Sequence, residues 1–144
     1  EDMMRNRAWR SAASLAGPFG TFLVLVVLTA AIGFAAPRLE GGLASPLIPA
    51  LAFLAFLQAT ALLLNLLPVP GLDGYGIIRP WLPQDVREAT RKYESLAMIA
   101  LLAVLFFVPP VANLFFGIAF LVSHLVGVPL EAVQEGYRTF RFWR

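Results

Sequence analysis

The sequence contains no cysteine and only one histidine, His124. Without cysteine the chain can form no disulfide, no thiolate-bound zinc site and no thiol nucleophile. Charge is also scarce, since 14% of the residues are Asp, Glu, Lys or Arg and 59% are hydrophobic. A soluble domain has about 25% charged residues. This composition argues against a soluble enzyme, a nucleic-acid-binding domain and a disordered tail.

Three long stretches contain no charged residue at all: 11–37, 41–72 and 95–130. A helix needs roughly 20 mostly apolar residues to cross a bilayer, and each stretch is longer than that. The chain is therefore predicted to be an integral membrane protein. The third stretch would form a helix of about 54 Å, far longer than a hydrocarbon core of about 30 Å. Pro109-Pro110 divides it, because consecutive prolines break a helix.

These patterns predict an all-α membrane fold. We expect about four transmembrane helices, of which the last two are a pair separated by prolines. A Pro/Gly-rich loop is expected over 68–76, since Pro68 and Pro70 end the second helix and three glycines follow. Residues 1–144 are interpreted as one membrane domain, with basic tails outside the membrane at 1–11 and 131–144. The predicted helices span 12–36, 47–67, 85–108 and 111–128.

The basic residues predict how the chain is oriented in the membrane. With four crossings, every Lys and Arg except Arg38 lies on one side, together with all tryptophans and tyrosines. Basic residues favour the cytoplasmic side, and Trp and Tyr favour the interface. Both termini are therefore predicted to be cytoplasmic.

A polar segment over 65–74 begins in the last turn of the second predicted helix and includes Asn65 and Asp73. A carboxylate near membrane depth is costly unless it is paired, hydrated or bound to a metal. Broken backbone at that depth is tolerated only where protein or water surrounds it. The segment thus indicates a hydrated cavity open to the cytoplasm. An exposed turn carboxylate beside Gly74 accounts for the spacing equally well.

The run N-L-L-P-V-P-G-L-D-G-Y-G at 65–76 resembles the N-x-x-P-x-x-x-L-D-G motif of site-2 proteases, the intramembrane zinc metalloproteases. The sequence L-A-G-P at 15–18 resembles the A-G-P of an earlier helix in that family, and the order of parts is similar over 8–130. The resemblance implies that Asp73 is the third zinc ligand and that Asn65 is a catalytic residue beside the scissile carbonyl. It implies substrate or loop support by Pro68, Pro70, Gly71, Leu72, Gly74 and Tyr75, and a structural role for Gly17 and Pro18.

The implied reaction is hydrolysis of a peptide bond in a membrane-embedded segment of a membrane-anchored protein or peptide, near the cytoplasmic face. The implied cofactor is one zinc ion, which in catalytic sites has three protein ligands and a water. The family's H-E-x-x-H is missing from this sequence. We therefore expect the chain to be the C-terminal membrane part of a larger protease core, inactive by itself. The alternative is an inactive relative that serves as a membrane scaffold or regulatory subunit.

Two further residues have more than one interpretation. Tyr75 stands where the family's commoner pattern has a second glycine, and is interpreted as an interfacial anchor, with gating of the site as the alternative. His124 is interpreted as hydrogen bonding to a neighbouring helix rather than as a metal ligand or proton relay. Membrane lipids are expected contacts in a bacterial cell membrane, nucleic acid is not expected, and the oligomeric state is left open.

Overall fold

The computed structural model describes residues 2–38 and 44–141, and includes no β-strand within those ranges. The all-helical architecture predicted from the hydropathy pattern is confirmed. A short 3-10 helix over Arg79–Trp81 joins two of the seven α-helices. The α-helices are α1 (Asp2–Ala35), α2 (Ala44–Leu66), α3 (Asp73–Ile78), α4 (Gln84–Lys92), α5 (Glu94–Phe107), α6 (Pro109–Val126) and α7 (Leu130–Phe140).

Within the described residues, three helices are long and apolar enough to cross a membrane: α1 from Arg5, α2 from Pro46, and α6. The prediction of 85–108 as one continuous helix is wrong, because the helix is divided at Tyr93. No proline or glycine marks this division in the sequence. The apolar part, α5, has 14 residues and a length of about 21 Å. Cytoplasmic placement of both termini requires an even number of crossings and stays a prediction.

The structure confirms the break at the double proline. α5 ends at Phe107, Val108 is extended with φ −112° and ψ 91°, and α6 begins at Pro109. Prolines are tolerated in the first turn of a helix because amide hydrogens there have no intrahelical partner. For this reason α6 begins two residues earlier than predicted.

Both predicted tails are largely helical within the described residues. α1 begins at Asp2 and α7 covers Leu130–Phe140, while residues 1 and 142–144 lie outside the described ranges. The predicted tail boundaries rest on charge alone. Charge keeps a segment out of hydrocarbon but does not prevent it from being helical, since Arg is among the good helix formers.

The chain divides into two compact units, and α1, α2 and α6 each contribute to both. The first unit comprises the described part of residues 1–20 together with 62–115. It contains the start of α1, the end of α2, the start of α6, and all of α3, α4 and α5. This unit holds the polar segment that includes Asn65 and Asp73.

The second unit comprises the described part of residues 21–61 and 116–144. Its core consists of apolar or small side chains from α1, α2 and α6, including Leu25, Ala55 and Ala119, which are fully buried. The rings of Phe56 and Phe120 stack with centroids 4.6 Å apart. α6 ends in a Schellman motif, in which the amides of Val128 and Gly127 donate to the carbonyls of Ser123 and His124.

Candidate functional site

The centre of the first unit is the antiparallel contact of α3 with the first half of α1. Ser11 donates a hydrogen bond of 2.7 Å to the Ile77 carbonyl. A β-carbon added at Gly76 would lie 2.5 Å from the Ser14 hydroxyl oxygen, and one added at Gly17 would lie 2.7 Å from an oxygen of Asp73. Ser11, Ser14 and Gly17 recur at helical spacing on α1. α3 therefore packs along its whole length against this face of α1.

Asp73 is the first residue of α3, and its side chain is partly buried against Gly17. Only a residue without a β-carbon fits at position 17 with the carboxylate in this place. The adjacent Pro18 is buried within α1 and has no amide hydrogen to donate to the carbonyl four residues earlier. Within the described residues, no hydrogen bond or ion pair engages the Asp73 carboxylate. The structure thus places Gly17 of one sequence motif against Asp73 of the other, with Pro18 next to Gly17 in the chain.

A tight turn leads from α2 into α3. The amide of Leu72 donates to the Val69 carbonyl over 3.0 Å, Pro70 occupies the second position and Gly71 has φ +98°. These are the features of a type II turn, which needs glycine or asparagine at its third position. A β-carbon at Gly71 would meet Met98 of α5 at 3.2 Å. The turn is therefore fixed by its own geometry and by packing on α5.

The prediction of a loop through 76 is wrong, because the chain is helical from Asp73. The three glycines have different functions. Gly71 alone has a positive φ, whereas Gly74 and Gly76 are helical and allow close approach. A β-carbon at Gly74 would overlap the Leu66 carbonyl oxygen and lie 2.5 Å from that of Leu67. Gly74 thus permits α3 to pack directly on the end of α2.

Tyr75 connects α3 to α4. Its side chain is only 8% exposed, and its hydroxyl is hydrogen bonded to the Thr90 hydroxyl. The Thr90 hydroxyl donates to the Val86 carbonyl at 2.7 Å, so Tyr75 is the donor of the shared bond. The interpretation of Tyr75 as an interfacial anchor is wrong, since an anchor would expose its ring at the membrane surface.

The side chains of the remaining candidates form no hydrogen bond with this cluster within the described residues. Asn65 is partly buried near the end of α2, and no hydrogen bond joins it to Asp73 within the described ranges. Pro68 is exposed, while Pro70 and Leu72 are partly buried. His124 is exposed on α6, and its imidazole has no hydrogen bond to a described residue, so the predicted interhelical bond stays a prediction.

Three residues of the cluster, Ser11, Ser14 and Trp81, were not predicted from the sequence. Trp81 donates from its indole nitrogen to the Ser11 hydroxyl at 3.1 Å, and Ser11 in turn donates to Ile77. The pair thereby attaches the segment after α3 to α1. A signal was available, because Ser11, Ser14 and Pro18 fall on one face of the helix that carries Gly17.

The described residues do not by themselves form a zinc site. No group of three His, Cys, Asp or Glu side chains is arranged to hold a metal in the part of the chain that the structure describes. The site offers one carboxylate, Asp73, whereas catalytic zinc uses three protein ligands. Asp73 fits a zinc site as one ligand among several, and the others are not among the described residues.

The fold and the site define an all-helical membrane protein in which a carboxylate at a helix start is seated on a Gly-Pro helix. Known proteins contain a similar chain. The sequence is 39% identical over 136 residues to the protein named "Putative zinc metalloprotease Rip2" in Mycobacterium tuberculosis, and 34% identical over 134 residues to the one of that name in Mycolicibacterium smegmatis. These alignments cover 94% and 93% of this chain but 51% and 50% of the relatives.

The chain therefore spans about half the length of the curated relatives it matches. No protein-family model matches it. No solved structure matches it either.

Proposed function

We propose that this chain is the membrane part of an intramembrane zinc metalloprotease of the site-2 protease type, to which it supplies Asp73 as a zinc ligand. The observation that carries the proposal is the seating of Asp73 against Gly17, where an added β-carbon would lie 2.7 Å from a carboxylate oxygen, in a protein similar to named zinc metalloproteases. The two sequence motifs that resemble the site-2 protease pattern meet at this contact. The substrate class is a membrane-anchored protein or peptide.

The geometry supports a ligand role for Asp73 in two ways. Its carboxylate forms no hydrogen bond or ion pair with a described residue, so both oxygens are available to a cation. Its position is fixed from three directions: by the type II turn before it, by Gly74 on the end of α2, and by Gly17 on α1. A ligand held by backbone packing keeps its geometry without a bound metal.

When bound, zinc would lower the pKa of its water towards 7 and polarise the scissile carbonyl. The residues of this chain have a positioning function in that reaction. Asp73 would bind the cation, and Asn65, which is close to the end of α2, would hydrogen bond to the peptide segment near the site. Histidine ligands and a general base are expected from outside the described residues.

The test is Asp73→Ala in the full-length protein, purified in detergent. We expect bound zinc, measured by metal analysis, to fall at least about tenfold, because the loss of one ligand of three removes much of the metal affinity. Cleavage of a co-reconstituted single-span membrane peptide should fall to the background level. Zinc content and cleavage equal to wild type would refute the proposal.

The matched control is Asp85→Ala, which removes an exposed carboxylate from the first turn of α4. This variant should keep both zinc and cleavage. Loss of zinc in both variants would mean that general charge or folding, rather than ligation, was measured. Circular dichroism of each variant tests that the helices are retained.

A scaffold without catalytic function is the second candidate, and the absence of a three-ligand group among the described residues favours it. The full-length wild-type protein distinguishes the two. Stoichiometric zinc together with peptide cleavage supports the protease. A folded protein with neither zinc nor cleavage supports the scaffold.

A further inference from the structure

A cavity of the first unit lies between α1 and the segment from α3 to α4. It has a volume of about 590 Å³. Gly76 lines it, one turn along α3 from Asp73, and Ser14 lines it from α1. The cavity is thus next to the Asp73 contact but does not include Asp73. Its chemistry is independent of any zinc ligand.

Arginine dominates the wall of this cavity. Four arginines line it, against a single acid, Glu88. A smaller neighbouring cavity of about 180 Å³ shares two of these arginines and adds Arg7. Like charges that face one cavity repel one another, and an anion between them would offset that repulsion. The four arginines of the main cavity are Arg10, Arg79, Arg87 and Arg91.

These four guanidinium groups lack counterions in the part of the chain that the structure describes. Within the described residues, none of the four has an ion pair or a side-chain hydrogen bond. The Nε atom of Arg87 is buried without a hydrogen-bond partner. Glu88 accepts a hydrogen bond from Gln84 at 3.2 Å. A buried donor without a partner is rare in native proteins, and at Arg87 no described side chain compensates the guanidinium charge.

The position of the cavity along α1 identifies the kind of anion. Arg10 is the last charged residue before the charge-free stretch 11–37, so we expect it to lie where the helix passes from water into the membrane. Trp81, on the neighbouring segment, is 53% exposed, as expected for an interfacial tryptophan. At this depth the abundant anion is the phosphate of a lipid headgroup, and guanidinium groups bind phosphate in a bidentate manner.

We propose that this cavity binds the headgroup phosphate of an anionic phospholipid, held mainly by Arg10 and Arg87. The lipid would join the start of α1 to α4 across the cavity. It would thereby stabilise the face of α1 on which α3 is seated.

The experiment uses the full-length protein, delipidated in a neutral detergent. Native mass spectrometry measures retention of phosphatidylglycerol against phosphatidylcholine, and thermal unfolding reports the stabilisation by each lipid. We expect phosphatidylglycerol to bind at least about tenfold more tightly, and Arg10→Gln/Arg87→Gln to abolish this preference. The control, Arg5→Gln/Arg138→Gln, removes the same charge from outside the cavity and should keep the preference.

A second variant, Ala13→Trp, fills the cavity without changing the charge, and should weaken phosphatidylglycerol binding while the helices remain folded. Equal binding of the two lipids, equal loss in the control, or full binding in Ala13→Trp would overturn the proposal. Complete displacement of the lipid by millimolar inorganic phosphate would show that the site takes free phosphate. Displacement by an acidic peptide would show that it takes a protein partner, and either result overturns the lipid assignment.

Discussion

Two short helices, α3 and α7, are positioned by the same two backbone features. Each follows a glycine with φ +98°, Gly71 before α3 and Gly127 before α7. Each contains a helical glycine, Gly74 or Gly136, at which a β-carbon would overlap a carbonyl oxygen of α2. The positive-φ glycine turns the chain sharply, and the second glycine allows backbone to approach backbone.

The side chains around the two helices differ. α3 is fixed by hydroxyl and indole groups of Ser11, Tyr75 and Trp81, whereas α7 packs through rings. Phe53 contacts Tyr137 and Phe140 with centroids 6.0 and 5.7 Å away. Hydrogen bonds fix direction as well as distance, while ring packing tolerates small shifts. The helix that carries Asp73 is the one held by directional contacts.

The largest effects are expected from Gly74→Ala and Gly136→Ala, because each removes the glycine that lets a short helix pack directly on the backbone of α2. A new β-carbon against a backbone carbonyl cannot be accommodated by side-chain rotation, so each variant should lose about 1–3 kcal/mol of stability or more. Thermal unfolding in detergent measures the loss. Only Gly74→Ala displaces α3, so only this variant should also lose bound zinc in the full-length protein.

Gly117→Ala is the control, since a β-carbon at this helical glycine meets nothing within 4 Å. Its stability should equal or slightly exceed that of wild type, because alanine is the better helix former. A loss in Gly117→Ala as large as in the other two variants would contradict the steric explanation.

Much of the fold could be predicted because a few strong rules dominate it. Charge-free stretches located α1, α2 and α6, and Pro109-Pro110 located the break before α6. The division at Tyr93 could not be predicted, since no helix-breaking residue marks it in the sequence. The helix over Asp73–Ile78 was also not predicted. A sequence does not distinguish a glycine needed for a positive φ, such as Gly71, from a helical glycine needed for close packing, such as Gly74.

A smaller and more selective effect is expected from Gly17→Ala. The new β-carbon would lie 2.7 Å from an Asp73 oxygen, which is the end of a side chain that can rotate away. Stability should change by less than about 1 kcal/mol, because only a carboxylate has to move. Zinc affinity of the full-length protein should nevertheless fall, by an expected tenfold or so.

Gly20→Ala is the matched control on the same helix, with nothing within 4 Å of the added β-carbon. It should retain wild-type zinc. If Gly17→Ala also retained it, the seating of Asp73 on Gly17 would have no part in metal binding.

The Gly17–Asp73 contact shows how far the candidate site itself could be predicted. Motif resemblance identified both residues, but their proximity follows from the antiparallel register of α3 on α1, which no local pattern encodes. The hydrogen bonds of Ser11 and Tyr75 are tertiary contacts between residues 66 and 15 positions apart. Such pairs are set by packing, which a single sequence does not show.

The smallest effects are expected when one tyrosine hydroxyl group is removed in each of the two regions. Tyr75→Phe removes the donor to Thr90 and should cost about 1 kcal/mol, the usual net value of such a hydrogen bond. Tyr137→Phe should cost almost nothing, since the exposed Tyr137 hydroxyl has no partner among the described residues and its ring contacts with Phe53 and Arg141 are retained. Thermal unfolding of the two variants in the same detergent makes the comparison.

A double-mutant cycle with Thr90→Val assigns the cost to the bond itself. Tyr75→Phe/Thr90→Val should be little worse than Tyr75→Phe alone, because the shared bond can be lost only once. Additive losses would mean that the two hydroxyls act separately, and that α4 is held to α3 by ring burial alone. Ring burial is also how α7 is held. That result would therefore remove the distinction between α3, held by directional hydrogen bonds, and α7, held by ring packing.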